Sequence, residues 1–214
     1  MSMNEFRLID FRFSDKTEYT NYINDYGEKD TDETNCFIIQ LFGINELGNT
    51  VMILVNDFKP FFYIRVDKDW TNSEKNKLIG ELKKHIRGRE RTEIFNSELV
   101  EKKNLYGFDN YSDHKFIKIT FNTINAMTKF KGVFKTVKNS MFTFYSNENK
   151  SVTTLYEANI PPLLKFFHIN DISPSGWIKI PEDIAEVDNK ISKCDYEFLI
   201  SHEDIISLND KETK

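Results

Sequence analysis

Cysteine, proline and glycine are scarce in this chain: 214 residues hold two, five and eight of them. Cys36 and Cys194 lie far apart, which gives neither a disulfide framework nor a zinc-ligand spacing. A reducing, intracellular compartment is therefore the expectation. So few glycines and prolines exclude a collagen-like, low-complexity or linker-dominated chain. No apolar run approaches the ~20 residues that cross a bilayer. The opening stretch, Met1–Phe13, interrupts its apolar residues with Glu5, Arg7, Asp10 and Arg12, unlike a signal peptide. No membrane partner is expected. Missing too are a Walker loop, a G-x-G-x-x-G turn and a G-x-S-x-G elbow. His85, His114, His168 and His202 are scattered without metal-ligand spacing. The expectation is no catalytic residue, no metal ligand and no cofactor in this chain.

What is present is phenylalanine, at 19 residues, within an ordinary apolar share of 39%. That length can bury one large core or two small ones. The net charge of −5 is unevenly spread. Residues 1–35 hold nine acids against four bases, and residues 181–214 ten against four. Between them, Leu82–Arg91 has five bases and one acid, and His114–Lys138 has six lysines and no acid. A local basic face is what a polyanion feels, so overall acidity does not exclude nucleic acid. The plain alternative for each stretch is a solvated helix face.

Along the chain, Phe6, Leu8, Phe11 and Phe13 alternate with charged residues after one slip, which predicts a half-buried strand. Ser14–Asn35 is polar and acidic, and reads as a surface excursion. Cys36–Phe42 and Val51–Val55 form a hairpin through Asn45–Asn49, with Gly48 able to take positive φ. Phe58–Val66 is a strand with Pro60 near its start. Thr71-x-x-Glu74 is a capping box before a helix with apolar face Leu78, Ile79, Leu82 and Ile86, stopped by Gly88. Strands follow at Thr92–Lys103 and Lys115–Phe121, then a helix over Thr123–Val137. A last strand falls in Met141–Tyr145 or Val152–Tyr156.

From Phe58 the order is β-α-β-β-α-β, the split βαβ, ferredoxin-like arrangement that RNA-recognition modules share. Beyond it, Pro161-Pro162 opens a short apolar helix, Trp177–Ile180 is a short strand, and Cys194–Leu208 adds one or two more. The fold class is α+β. Its expected parts are a β-rich hairpin subdomain at 1–57, the ferredoxin-like subdomain at 58–157, and a closing segment at 158–214.

Aromatics beside lysines are what a single-strand binding face uses: bases stack on rings and phosphates meet cations. The candidates are Phe61, Tyr63, Lys83, Lys84, Arg87, Lys102, Lys103, Lys115 and Lys118, with Tyr106 and Phe108 flanking Gly107 nearby. Alternation along the strands assigns at least half of these aromatics to the core. Asp195-Tyr196-Glu197 has the D-x-E form by which nucleases place two carboxylates on one strand face. Ile191–Cys194 before it lacks the continuous apolar run that buries such a site, so the motif reads as a solvated strand.

One stretch is more specific. Leu155–Phe167 contains Tyr156, Glu157, Ile160, Pro161, Lys165 and Phe166, and Ser173–Ile178 reads Ser-Pro-Ser-Gly-Trp-Ile. Together they resemble the Y-E-x-x-I-P-x-x-x-R/K-F stretch of family B DNA polymerases, in the version found in large double-stranded DNA viruses. Phe58–Tyr63 resembles the F-x-P-Y/F-F-Y strand of the same amino-terminal domain. Val100–Phe108 with Lys115–Phe121 resembles its V-x-K-K-x-x-x-G-F strand pair. The resemblance implies a non-catalytic amino-terminal part of a DNA-directed polymerase acting in DNA replication. It implies single-stranded or primer-template DNA and the remaining polymerase domains, in cis or in trans, as partners. In that family the domain packs beside the 3′-5′ exonuclease, and magnesium belongs to the whole enzyme. The implied location is the nucleus or a cytoplasmic viral replication site. The alternative is a stand-alone RNA-recognition-like module that binds single-stranded nucleic acid.

Overall fold

A computed structural model describes residues 4–23, 29–103, 112–135, 141–146 and 149–208. For residues 18–23, 29–33, 135, 141–146 and 149–152 it describes the backbone alone. Tyr106, Gly107, Phe108 and Val137 lie outside the described residues.

The first strand, β1 (Glu5–Ile23), pairs antiparallel with β2 (Lys29–Ile44) along its whole length, from Arg7↔Ile44 to Ile23↔Lys29. The register shifts between Leu8 and Asp10, where the apolar alternation slips. The predicted surface excursion at Ser14–Asn35 is thus corrected, because all of it outside residues 24–28 is paired strand. Thr17, Tyr19, Thr20 and Tyr22 are strand formers, so the polarity of the stretch does not argue against pairing. The turn before β3 (Thr50–Val55) is built by Asn45, whose Oδ1 accepts from the N–H groups of Leu47 and Asn49 at 3.0 and 2.9 Å. Gly48 supplies the positive φ of 88° in that turn.

Next comes β4 (Phe61–Arg65), shorter than the predicted strand; Phe58 and Pro60 lie ahead of it. Helix α1 (Asn72–Lys84) opens on the capping box, with Thr71 accepting from Ser73 N–H and Glu74 reaching back to Thr71 N–H. It ends at Lys84 with His85 as its cap, whose N–H bonds back to Leu82 and Lys83 carbonyls. Gly88, expected to stop it, takes a φ of 89° and opens a 3₁₀ turn at Arg89–Thr92 instead. Then follow β5 (Ile94–Lys103), β6 (Asp113–Phe121) and α2 (Ile124–Lys135). Both proposed final strands form, as β7 (Met141–Ser146) and β8 (Asn149–Tyr156). The chain continues through α3 (Pro162–Ile169), β9 (Trp177–Lys179), β10 (Tyr196–Leu199), a 3₁₀ turn at His202–Asp204 and β11 (Ile206–Ser207).

The protein is α+β and divides into two compact units. One comprises residues 1–59 with 161–214, around a six-stranded sheet in the order β10-β3-β2-β1-β9-β11. The segment set apart at 158–214 thus contributes three strands to the sheet of the first segment. Phe6, Leu8, Phe37, Ile39, Leu41, Val51, Ile53 and Ile178 are buried there.

The other unit, residues 60–160, holds a five-stranded antiparallel sheet in the order β5-β6-β4-β8-β7. Its first four positions follow the split βαβ order, and β7 is added outside β8. Phe62, Ile64, Ile117, Ile119 and Phe121 turn to one face and meet Leu78 and Leu82 of α1 and Met127, Phe130 and Phe134 of α2. Alternation then sends Phe61, Tyr63, Arg65, Phe116 and Lys118 to the opposite face, away from α1 and α2. Among the described residues, no helix is long and apolar enough to cross a membrane.

Candidate nucleic-acid interface

The face of the 60–160 sheet turned away from α1 and α2 is an aromatic ladder crossed by cations. Tyr63 lies opposite Lys118 on β6 and Tyr156 on β8, and Arg65 opposite Phe116. Ring centroids are 5.6 Å apart for Phe61–Tyr63, 6.3 Å for Tyr63–Phe116 and 5.3 Å for Phe116–Tyr156. Lys102 Nζ sits 4.5 Å over the Tyr63 ring, and Lys118 Nζ 5.0 Å over Phe61. Lys118 also meets Glu98 at 3.5 Å. Arg65 reaches His114 Nδ1 at 2.9 Å and donates to the Tyr156 hydroxyl at 3.4 Å. Each cation over a ring contributes about 0.5–1 kcal/mol when exposed and more when dry.

Phe61 and Tyr63 are only 8% and 6% exposed, so neither presents a free ring face to a base. Base stacking, the role the sequence offered them, is not open to them in this arrangement. Lys102 is exposed and Lys118 half-buried. The candidate set therefore divides. Phe61, Tyr63, Lys102 and Lys118 share the face turned away from α1 and α2. Lys103 and Lys115 have the opposite strand parity, and Lys115 Nζ is held by the Trp70 carbonyl at 3.1 Å. Lys83 and Lys84 occupy the last turn of α1, with Arg87 just beyond. There they also complement the carbonyl end of the helix. Lys84 contacts Glu81 at 2.5 Å, while Arg87 is exposed.

The candidate set did not include Arg65, His114 and Tyr156. Arg65 was findable, since it follows Tyr63 by two positions on one strand; the other two needed the register. It also left out a cleft of about 440 Å³ lined by His85, Ile86, Arg87, Lys129, Gly132 and Val133. That cleft lies where the two basic stretches of sequence come together.

Asp195 and Glu197 belong to the other unit and are internally engaged. Asp195 accepts from Thr50 N–H at 2.7 Å and its hydroxyl at 2.9 Å. These two bonds, with the Lys190 charge, hold Asp195 below the usual carboxylate range. Glu197 is only 1% exposed and accepts from Ile191 N–H at 3.1 Å, Ser192 N–H at 3.0 Å and Ser192 Oγ at 2.9 Å. Burial pushes its carboxyl up, but those donors and Lys190 outweigh it and hold the group low. The D-x-E is thus structural, as expected, yet buried at Glu197 rather than solvated. Its oxygens clamp the 190–195 loop onto β10.

Comparison with known proteins agrees with the polymerase-like segments. Residues 57–128 match the family model of the DNA polymerase delta catalytic subunit-like, N-terminal domain. Residues 153–213 match that of the DNA polymerase family B, exonuclease domain. Together these spans cover more than half of the chain. The DNA polymerase of Phaeocystis pouchetii virus is 38% identical over 206 residues, which are 92% of this chain and 20% of that protein. The DNA polymerase of Acanthamoeba polyphaga mimivirus is 28% identical over 87% of this chain and 11% of its own length. The chain thus spans a fifth or less of these relatives. In fold, it superposes on the family B DNA polymerase of the archaeon Pyrobaculum calidifontis with a TM-score of 0.56 at 14% identity, over 95% of this chain and 20% of that one. The chain belongs to the family B DNA polymerases, in their amino-terminal and exonuclease-domain region, and resembles those of large double-stranded DNA viruses.

Proposed function

We propose that this chain is a non-catalytic part of a replicative DNA polymerase, which helps hold the single-stranded template and supports the 3′-5′ exonuclease domain. The observation that carries the template part is the meeting of two acid-poor basic stretches on one unit. Arg87, just beyond α1, lines the cleft that Lys129 of α2 completes, and Lys83 lies in the last turn of α1. Cations so placed attract phosphates without reading bases, as a template path requires. The exonuclease part is supported by the family match over residues 153–213. It is also supported by apolar side chains left exposed on the 1–59/161–214 unit, Phe11, Phe13 and Leu164 at 38%, 48% and 54%.

The test is equilibrium binding of single-stranded DNA and RNA of one sequence to the purified chain. Equal or better binding of DNA is expected. A clear preference for RNA favours the stand-alone RNA-binding reading, which needs the 2′-hydroxyl. Nucleotide incorporation or strand degradation by the purified chain with Mg²⁺ overturns the non-catalytic assignment.

A further inference from the structure

The cleft at the end of α1 has features that a solvated basic surface does not require. Ile86 and Val133, at 6% and 9% exposure, form an apolar floor. Arg87 and Lys129 bring cations to the wall, and His85 adds a ring that donates or accepts. Lys129 is shared with Glu90, which also accepts from Asn125 at 2.8 Å. With that pair neutralised, Arg87 leaves the wall with about one positive charge. It has no hydrogen-bond or ion-pair partner among the described residues. Lys83 and Lys84 in the last turn of α1 offset its carbonyl end, which by itself repels anions.

Gly132 supplies the second observation. It lies inside α2, where glycine costs roughly 0.5–1 kcal/mol relative to alanine. A Cβ built there meets nothing within 4 Å, so packing does not demand a glycine. Its lack of a side chain leaves the cleft open. The volume, about 440 Å³, falls within the roughly 300–1,000 Å³ of small-ligand sites.

We propose that this cleft seats one nucleotide of a single strand, with its singly charged phosphodiester on Arg87 and the Lys129 wall and its sugar on Ile86 and Val133. This names the anion subsite of the template reading above, and rests on it. A free nucleotide offers the same sugar with a more highly charged phosphomonoester, so the experiment carries both.

Thymidine 5′-monophosphate and a twelve-residue thymidine oligonucleotide are titrated into the full chain, following backbone amide resonances and affinity. Gly132→Leu fills the cleft while keeping every charge and a good helix former, and Arg87→Gln removes the wall charge. Expected are shifts of the Gly132 and Arg87 amides with either probe. Gly132→Leu should lower affinity for both at least tenfold, and Arg87→Gln at least threefold. Unmoved cleft amides, or equal affinity in Gly132→Leu and wild type, overturn the proposal. Oligonucleotide binding that persists in that case leaves the template reading standing. Mononucleotide binding lost in Gly132→Leu, with no oligonucleotide binding by wild type, supports the cleft as a nucleotide site and sinks the template reading alone. Inorganic phosphate binding as tightly as the nucleotide overturns the sugar contact with Ile86 and Val133.

Discussion

Glu197 shows how a carboxylate can imitate a catalytic motif while working as a clamp. Three donors converge on it in a dry site, and its folded pKa is depressed. A depressed carboxylate adds stability that is complete above its unfolded pKa and is lost as pH falls through the folded value. The unfolded value lies near 4.3 for glutamate. Urea midpoints should therefore drop on acidification below about pH 4. Glu197→Gln should cost about 1–3 kcal/mol at neutral pH and flatten that acid dependence; an unchanged midpoint and slope would refute the clamp. The D-x-E was legible as structural because the residues before it are not an apolar strand. Its burial was not, because that depends on the loop from Lys190 to Asp195 folding back over β10. Likewise, alternation placed Phe61 and Tyr63 on one face, but says nothing about whether that face stays open.

At the level of elements, the local signals were the dependable ones. The capping box at Thr71 and Glu74, the Asn45–Asn49 turn and the slip after Leu8 each involve neighbours in sequence, so the residues themselves carry the geometry. The long β1–β2 hairpin was hidden because its pairing is non-local and its residues polar. Gly88 misled for a related reason: a positive φ is needed there by the turn after the helix, not by the helix end. Gly43 is a glycine whose need is steric. It sits in β2 between Leu8 of β1 and Val51 of β3, and a Cβ there would come within 3.0 Å of the Arg7 carbonyl and 3.1 Å of Phe6 Cβ. Gly43→Val should therefore destabilise the 1–59/161–214 unit by about 1–3 kcal/mol. Hydrogen exchange should show protection lost in β1 to β3 and retained in α1, α2 and β6. Uniform loss, or none, would contradict a local steric origin.

For the whole molecule, the division of charge matters more than its sum. A net charge of −5 coexists with a basic surface because the acids gather in the terminal segments, which share one unit, while the basic stretches share the other. The strand and helix periodicities inside the 60–160 unit were legible. The return of residues 161–214 to the first sheet was not, because short strands such as β9 and β11 hold their place only by pairing. The charged surface also refines which cations can be tested cleanly. Lys115 and Lys118 have structural partners in Trp70 and Glu98, whereas Lys83 and Arg87 show none among the described residues. The most direct measurement is the affinity of the chain for a single-stranded oligonucleotide across a salt series, in wild type and in Lys83→Glu, Lys84→Glu, Arg87→Glu combined. Wild-type affinity should fall steeply with salt, and the variant should bind at least tenfold more weakly at low salt. Its log–log slope should be shallower by about 0.7 for each phosphate contact removed. Wild-type binding that is absent, or binding of unchanged affinity and slope in the variant, would contradict template holding by this surface.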